Sequence, residues 1–194
     1  EEGIELSAIA MARGTVARCA LRVNPDVDAQ THEKISTGKA ENKFGVPIHR
    51  AGEIYAALAG LPGLEMRGIA VHIGSQLSSL EPLEAAFGKV GALIAELRGQ
   101  GQKVTHADLG GGLGVPYKAD DVMPSPADYG AMVARVTAGW NVALSFEPGR
   151  VIAGNAGVLL TRVIRVKRSS NASPFVVVDA AMNDLARPAM YGAW

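Results

Sequence analysis

Cysteine is scarce in this sequence, neither sign of charge is in excess, and long apolar runs are missing. The single cysteine, Cys19, excludes an internal disulfide framework and any zinc site built from several cysteines. The formal net charge is zero, from 19 basic and 19 acidic residues, so no basic surface for nucleic acid is indicated. No stretch approaches the roughly 18–20 consecutive apolar residues that a membrane span requires.

Metal-binding and targeting motifs are also missing. The segment His32–Ser36 begins like the zinc motif HExxH, but serine stands where the second histidine would be, so we expect no metal site. The acidic first residues lack the basic and apolar regions of a secretory signal. Because the chain does not start with methionine, we interpret it as a piece of a longer protein.

Glycine is the residue in excess, with 23 of 194 residues, about 12% against a usual ~7%. Short apolar runs that resemble strands alternate with amphipathic stretches that resemble helices, which predicts βα units and a parallel sheet. The predicted strands are 17–23, 68–73, 104–109 and 142–146, and the predicted helices are 50–61, 82–97 and 126–138.

The predicted strands end in chemically unusual segments, and this is typical of a (β/α)₈ barrel, whose functional groups gather at the carboxyl ends of its strands. A doubly wound sheet gathers them only at its switch point. We therefore predict an α/β fold in which residues 1–154 form the C-terminal half of a TIM-type barrel. Two further strands, 158–167 and 175–178, have no helix between them, so residues 155–194 are predicted to begin an antiparallel β domain. Residues 26–42 are predicted to be a loop and 179–194 an irregular segment.

The glycine run Gly110, Gly111 and Gly112 is the strongest local signal. Such a run lets backbone N–H groups close on an anion such as phosphate, although a sharp strand exit without a ligand would need the same residues. Glu147-Pro148-Gly149-Arg150 places a carboxylate and a guanidinium at a strand end, either as an ordinary surface turn or as ligands for a ring nitrogen and an anion.

Three further side chains have both a structural and a functional interpretation. His72 lies in an apolar strand, where a histidine is more often a packed, hydrogen-bonded residue than a catalytic group. Ser75 suits either a phosphate or the N-cap of a helix. Cys19 precedes a buried strand and is predicted to be inert packing.

Six motifs follow one another along the chain. They are Arg22-Val23-Asn24-Pro25; Ser36-Thr37-Gly38 with Lys43-Phe44-Gly45; His72-Ile73-Gly74-Ser75-Gln76; Asp108-Leu109-Gly110-Gly111-Gly112-Leu113-Gly114; Glu147-Pro148-Gly149-Arg150; and Asn183-Asp184-Leu185 with Arg187-Pro188 and Tyr191-Gly192-Ala193. In this order they resemble the diaminopimelate decarboxylases, of the alanine-racemase-like fold type. Several barrel motifs are shared with ornithine and arginine decarboxylases, and the last motif points to the diaminopimelate group.

The resemblance implies that the cofactor is pyridoxal 5'-phosphate. The residues expected to hold its phosphate are Ser75, Gly110, Gly111, Gly112 and the backbone near Gly149 and Arg150. The N–H groups of the three glycines are expected to converge on one anion-sized space near Ser75 and His72. His72 is expected to stack on the cofactor ring. Glu147 is expected to bond the pyridine nitrogen and keep it protonated, so that the ring accepts the electrons left when CO₂ departs. Alanine racemases of this fold place an arginine there, so Glu147 favours decarboxylation.

The resemblance also implies a substrate and an incomplete site. Arg150, Arg187 and Tyr191 are expected to grip the carboxylate at the non-reacting end of meso-2,6-diaminopimelate. The Schiff-base lysine is expected upstream of Glu1, and a cysteine–glutamate motif that completes the neighbouring subunit's site is expected beyond Trp194. The chain alone is therefore expected to be inactive.

The implied activity is the decarboxylation of diaminopimelate to L-lysine and CO₂, in lysine biosynthesis, by a cytoplasmic homodimer that binds neither nucleic acid nor membrane. A related decarboxylase of ornithine or arginine is the alternative enzyme. A non-catalytic relative that serves protein interaction would need neither the glycine run nor Glu147. An unrelated phosphate-binding barrel would explain the glycines but not Glu147.

Overall fold

A five-stranded parallel sheet is the main feature of the fold. The structure is a computed structural model that describes residues 1–29, 44–168 and 173–191. The sheet has the order β2-β1-β3-β4-β5, and all neighbouring strands in it are parallel. Its strands are β1 Ala17–Asn24, β2 Val46–Pro47, β3 Leu64–Val71, β4 His106–Asp108 and β5 Ala143–Ser145.

Helices connect the strands, because a tight turn cannot join parallel neighbours. They are α2 Ala51–Ala59 after a 3₁₀ turn at Ile48–Arg50, α3 Glu81–Gly99 and α4 Pro126–Val136, and a further helix, α1 Glu2–Ala12, precedes β1. In α3 the side chains of Leu83, Phe87, Val90 and Ile94 recur at helical spacing and are at most 2% exposed in the core. Within the described residues, no helix combines the length and apolar character needed to cross a membrane.

The register of the sheet separates an apolar face from a polar one. Leu21, Ile69 and Ala107 are register partners on β1, β3 and β4, and all three are buried in the core cluster under the helices. Their neighbours point to the opposite side, because side chains alternate along a strand. On that concave side Arg22 pairs in register with Ala70, and Ala70 pairs with Asp108. The carboxyl ends of the strands thus collect polar groups, and the predicted half barrel is confirmed.

A separate two-stranded antiparallel sheet follows the barrel segment. It pairs β6 Val163–Lys167 with β7 Phe175–Val178, as predicted for a hairpin. Two short helices, α5 Arg150–Ala153 and α6 Arg187–Tyr191, flank this part of the chain. The division between residues 154 and 155 stays a prediction.

Some element bounds differ from those predicted. Strand β3 begins four residues before the predicted residue 68, and β6 begins at Val163 rather than at 158. Helix α1 was not predicted because it buries only Ser7 and Ala10, so its sequence carries no apolar stripe of helical period. Most of the predicted loop 26–42, with its Ser36-Thr37-Gly38 motif, lies outside the described residues.

Candidate active site

Four polar side chains meet at the carboxyl ends of the barrel strands. Arg22 from β1, His72 just after β3, Asp108 from β4 and Glu147 just after β5 line one small cavity of about 50 Å³ on the concave face. They are distant in sequence and come together because parallel strands end at the same edge of the sheet. The structure therefore brings His72 and Glu147 together, as the sequence predicted.

The glycine run lets the loops after β3, β4 and β5 press against one another. A Cβ atom on Gly111 would collide with the carbonyl oxygen of Glu147, and one on Gly112 would collide with that of Gly74. Gly112 also has a φ of 108°, a conformation that favours glycine. The N–H of Glu147 donates to the carbonyl of Gly110 over 2.7 Å and ties the loops after β4 and β5 together. At least part of the glycine signal therefore serves close backbone packing.

The N–H groups of the glycine run point to different partners. Gly110 donates its N–H to Oδ1 of Asp108 over 2.8 Å, whereas Gly111 donates its N–H to Nδ1 of His72 over 3.2 Å. The expected convergence of three N–H groups on one anion is thus met neither at Gly110 nor at Gly111, because Asp108 accepts the first N–H and His72 accepts the second. The N–H group of Gly111 does lie close to His72, as expected.

The surroundings of His72 favour its neutral form. Burial lowers the pKa of the imidazole, and the positive charge of Arg22 lowers it further, while Glu147 and Asp108 partly oppose both effects. Since Nδ1 accepts the N–H of Gly111, the proton of the neutral ring lies on Nε2. His72 therefore presents a flat, uncharged ring whose tautomer is fixed by the glycine loop.

Ser75, on a loop, and Arg150, at the start of α5, are both held close to the glycine run. The loop containing Ser75 is attached by two backbone hydrogen bonds, from Leu77 N–H to the carbonyl of Gly112 and from Gly114 N–H to the carbonyl of Leu77. Arg150 opens α5 directly after Gly149, and its Nη1 donates to Oε1 of Gln76 over 3.0 Å. Both predicted residues thus belong to the same group of loops as His72.

Arg187 is placed against a residue that follows the glycine loop. Its guanidinium carbon lies 4.6 Å from the centre of the Tyr117 ring, within the range of a cation–π contact. This contact connects α6 to the carboxyl-terminal side of the barrel. The side chain of Tyr191 lies outside what the structure describes.

In the sequence, Arg22, Asp108 and Gln76 stand out only as members of motifs, and Tyr117 carries no signal of its own. Asp108 could have been selected because it ends a strand two residues before the glycine run begins. Gln76 has no comparable signal, since its partners Val115 and Arg150 are remote in sequence. A contact between distant residues depends on the fold as a whole.

The side chains at this site fit a flat, positively charged ring that also bears an anionic group. Glu147 offers a carboxylate, His72 an uncharged aromatic face, and Arg150 a guanidinium. Pyridoxal 5'-phosphate combines a pyridine nitrogen that can carry a proton with a phosphate, so the residues present suit it.

Two larger cavities border residues of this site: one includes Arg22 in its lining, and the other includes Gly110 and Gly111. One of about 750 Å³ runs beside β1 and is lined by Cys19, Phe44 and Leu58 among others. Burial raises the pKa of the Cys19 thiol, which makes it a poorer nucleophile, in keeping with the predicted inert packing. Another cavity of about 320 Å³, lined by Tyr129 and Phe146, is almost wholly apolar.

Comparison with known proteins gives consistent similarities. The profile of the family described as pyridoxal-dependent decarboxylase, pyridoxal binding domain, matches residues 1–154. The diaminopimelate decarboxylase of Zymomonas mobilis is 52% identical over 190 residues, which cover 97% of this chain and 45% of that protein. The enzyme of Pseudomonas aeruginosa with the same name is 50% identical over 194 residues, or 100% of this chain and 46% of that protein.

Among solved structures, the diaminopimelate decarboxylase of Helicobacter pylori complexed with L-lysine superimposes with a TM-score of 0.91 at 38% identity. The match covers 98% of this chain and 48% of that one. The chain thus spans about half the length of the relatives that it matches.

Proposed function

The chain belongs to the pyridoxal-dependent decarboxylases through their pyridoxal-binding domain, and from this membership we propose that the full-length protein converts meso-2,6-diaminopimelate to L-lysine and CO₂. The observation that carries the proposal is the placement of Glu147 and His72 in one cavity at the carboxyl ends of the barrel strands. Identity of about 50% to diaminopimelate decarboxylases along the whole chain supports the choice of substrate.

When bound, pyridoxal 5'-phosphate supplies a pyridine ring that takes up the electron pair left on the α-carbon as the bond to the carboxylate breaks. Glu147 is assigned to the ring nitrogen, because an ionised carboxylate beside it favours the protonated, more electron-withdrawing form. His72 is assigned to the face of the ring. Its lowered pKa suits that role, since a neutral imidazole does not repel a positively charged ring.

The phosphate is assigned to Ser75, to the loop Gly110, Gly111 and Gly112, and to the backbone of Gly149 and Arg150. Support comes from the hydrogen bonds that hold the Ser75 loop against the glycine run. Gly110 and Gly111 contribute through close packing rather than through their N–H groups, which Asp108 and His72 already accept.

The carboxylate at the non-reacting end of the substrate is assigned to Arg150, Arg187 and Tyr191. A guanidinium binds a carboxylate with two parallel hydrogen bonds, and this distinguishes diaminopimelate from ornithine, whose far end is a bare amine. The contact between Arg187 and Tyr117 supports the assignment because it places α6 beside the segment that follows the glycine loop.

The proposal extends to parts that this chain does not contain. A lysine that binds the cofactor and a cysteine–glutamate motif supplied by a second subunit are proposed to complete the site in the full-length protein. A cytoplasmic homodimer is the proposed form of the full-length protein.

The test is a substrate comparison with the full-length protein reconstituted with pyridoxal 5'-phosphate. CO₂ release is measured with meso-diaminopimelate, L-lysine, L-ornithine and L-arginine, and L-lysine is measured as a product of the first. We expect kcat/KM for diaminopimelate to exceed the others by at least about 100-fold, because a site built for a carboxylate rejects analogues that lack it. A preference for ornithine or arginine would make the protein a decarboxylase of basic amino acids. A protein that binds no cofactor, as judged by its visible absorption, would be a non-catalytic relative.

A further inference from the structure

The side chain of Gln76 fastens two loops of the candidate site together. Its Nε2 donates to the carbonyl of Val115 over 2.6 Å, and its Oε1 accepts the N–H of Val115 over 3.3 Å. The amide thereby occupies both backbone hydrogen-bonding groups of one residue, as a neighbouring strand would. Gln76 adopts this position with a φ of 61°, which is uncommon for a residue other than glycine.

The same Oε1 atom accepts a third hydrogen bond, from Nη1 of Arg150 over 3.0 Å. An amide oxygen orients a guanidinium without cancelling its charge. Arg135 is in a different situation, since two of its nitrogens donate to the carboxylate of Glu84 over 2.7 and 2.8 Å. The partner of Arg150 thus fixes the direction of one nitrogen and leaves the positive charge available.

Backbone strain at Gln76 is consistent with a functional constraint. A residue held in the left-handed region persists when its surroundings over-determine it, and here three hydrogen bonds to one side chain do so. The adjacent residue Leu77 adds two backbone bonds to the glycine loop, with Gly112 and Gly114. The whole connection is therefore rigid.

We propose that Gln76 is a positioning residue that aims the guanidinium of Arg150 at the distal carboxylate of the substrate and keeps its charge unpaired for that purpose. This inference rests on the proposed function and adds a residue that contacts neither substrate nor cofactor. It requires the neutral amide specifically, because a carboxylate at the same place would compete with the substrate for Arg150.

Ligand binding without turnover tests this role. L-Lysine keeps the distal carboxylate of diaminopimelate, whereas 1,5-diaminopentane has the same length without any carboxylate. Dissociation constants for both are measured by calorimetry on the full-length holoenzyme. Gln76→Glu is expected to weaken L-lysine binding about 10- to 100-fold, because the new carboxylate pairs with Arg150, and to change diaminopentane binding less than about 3-fold. Gln102→Glu, the same change at a half-buried glutamine before β4, serves as the control and should alter neither.

A second variant covers the case in which Gln76→Glu does not fold. Gln76→Met keeps the length of the side chain but makes none of the three hydrogen bonds, and it introduces no repulsion with the carbonyl of Val115. It should weaken L-lysine binding by about 3- to 10-fold, because the guanidinium of Arg150 is no longer oriented toward the carboxylate. In an Arg150→Met background neither Gln76 variant should cause a further loss, because Gln76 acts through Arg150.

Kinetics supply an independent measurement. Gln76→Glu should raise KM for diaminopimelate with a smaller change in kcat. In an otherwise active enzyme, three results would overturn the positioning role. These are equal losses of affinity for L-lysine and diaminopentane, no loss of affinity for either, and an effect of the Gln76 variants that is undiminished in the Arg150→Met background. A wild-type holoenzyme that does not decarboxylate diaminopimelate would overturn the proposed function, and this inference with it.

Discussion

The backbone N–H of Gly111 donates to Nδ1 of His72 over 3.2 Å, so the glycine loop and the imidazole ring hold each other in place. A protonated ring carries hydrogen at both nitrogens and cannot accept this bond. Protonation of His72 therefore loses a hydrogen bond, in addition to the cost of charging a largely buried group beside Arg22. The relationship makes the site sensitive to acid.

The first prediction concerns this sensitivity. Because the folded pKa of His72 lies below its usual value of 6.5, the unfolded chain binds more protons than the folded one between the two values. Folding stability should thus fall as the pH drops from about 6.5 toward the folded pKa. His72→Gln removes this titration and keeps an acceptor for Gly111. Urea unfolding of the full-length protein at successive pH values should show a smaller acid loss in the variant. An identical slope in both proteins would contradict the prediction.

The second prediction concerns close backbone packing at Gly111. Gly111→Ala places a Cβ against the carbonyl oxygen of Glu147, which is a backbone atom and cannot rotate away. The loops must separate, at a cost of about 1–3 kcal/mol in the free energy of unfolding. Gly88→Ala is the matched control, because Gly88 lies in α3 and its added Cβ would meet nothing within 4 Å other than the backbone of its own helix. Gly88→Ala should raise the free energy of unfolding by about 0.5–1 kcal/mol, because alanine has the higher helix propensity. Urea unfolding measures both, and equal effects would show that Gly111 is not tightly packed.

The third prediction concerns Arg98, which joins three elements at the end of the barrel opposite the site. Its guanidinium donates to the carbonyl oxygens of Val104, Trp140 and Asn141. Arg98→Met should lower the free energy of unfolding by about 1.5–3 kcal/mol, the range for hydrogen bonds to a charged group, with little change in kcat. Arg135→Met breaks only an exposed ion pair with Glu84 and should cost at most about 1 kcal/mol. A reversed order of the two losses would refute this account.

The sequence was sufficient to predict those helices and strands in which the pattern of apolar side chains reflects burial in the core. Phe87 and Val90 recur at helical spacing in α3 because they face a continuous core, and the period is visible without the fold. Helix α1 offers no such period. Ile4 and Ile9 are exposed and the buried side of the helix consists of Ser7 and Ala10, so nothing in the local sequence distinguishes it.

For the site, motif positions could be predicted but hydrogen-bond partners could not. The ends of parallel strands necessarily meet, so His72 and Glu147 were expected together, and the structure places them together. Which acceptor takes the N–H of Gly110 depends on the rotamer of Asp108, which a motif does not specify. The contact of Gln76 with Arg150 depends in addition on the relative placement of two loops.

The fourth prediction concerns Glu147 in the full-length enzyme. Glu147→Gln keeps the shape and hydrogen-bonding ability of the side chain but removes the charge that favours a protonated ring nitrogen. We expect kcat to fall by at least about 100-fold with a much smaller change in KM, as for a lost transition-state interaction. Glu96→Gln makes the same change on the exposed side of α3 and should leave kcat unaltered. Wild-type kcat in the Glu147→Gln variant would exclude Glu147 from this role.

The last prediction concerns substrate choice by Arg187 and the aromatic ring beside it. A substrate carboxylate that loses its guanidinium loses hydrogen bonds worth about 1.5–3 kcal/mol, so Arg187→Ala should lower kcat/KM for diaminopimelate by roughly 10- to 200-fold. Turnover of L-ornithine, where measurable, should not fall in parallel, because ornithine has no distal carboxylate. Arg165→Ala, an exposed arginine in β6, is the control.

Tyr117 should affect the preference for diaminopimelate over ornithine through Arg187, since its ring lies 4.6 Å from the guanidinium carbon of Arg187. Tyr117→Leu removes the aromatic face, and the loss of a cation–π contact of about 0.5–2 kcal/mol should lower kcat/KM for diaminopimelate by about 2- to 30-fold. Tyr117→Phe retains the face and should remain within about 2-fold of the wild type. In an Arg187→Ala background, Tyr117→Leu should add no further loss, because the cation it orients is gone. If Arg187→Ala leaves the ratio of diaminopimelate to ornithine turnover unchanged, Arg187 does not bind the distal carboxylate, and a decarboxylase of basic amino acids becomes the better assignment.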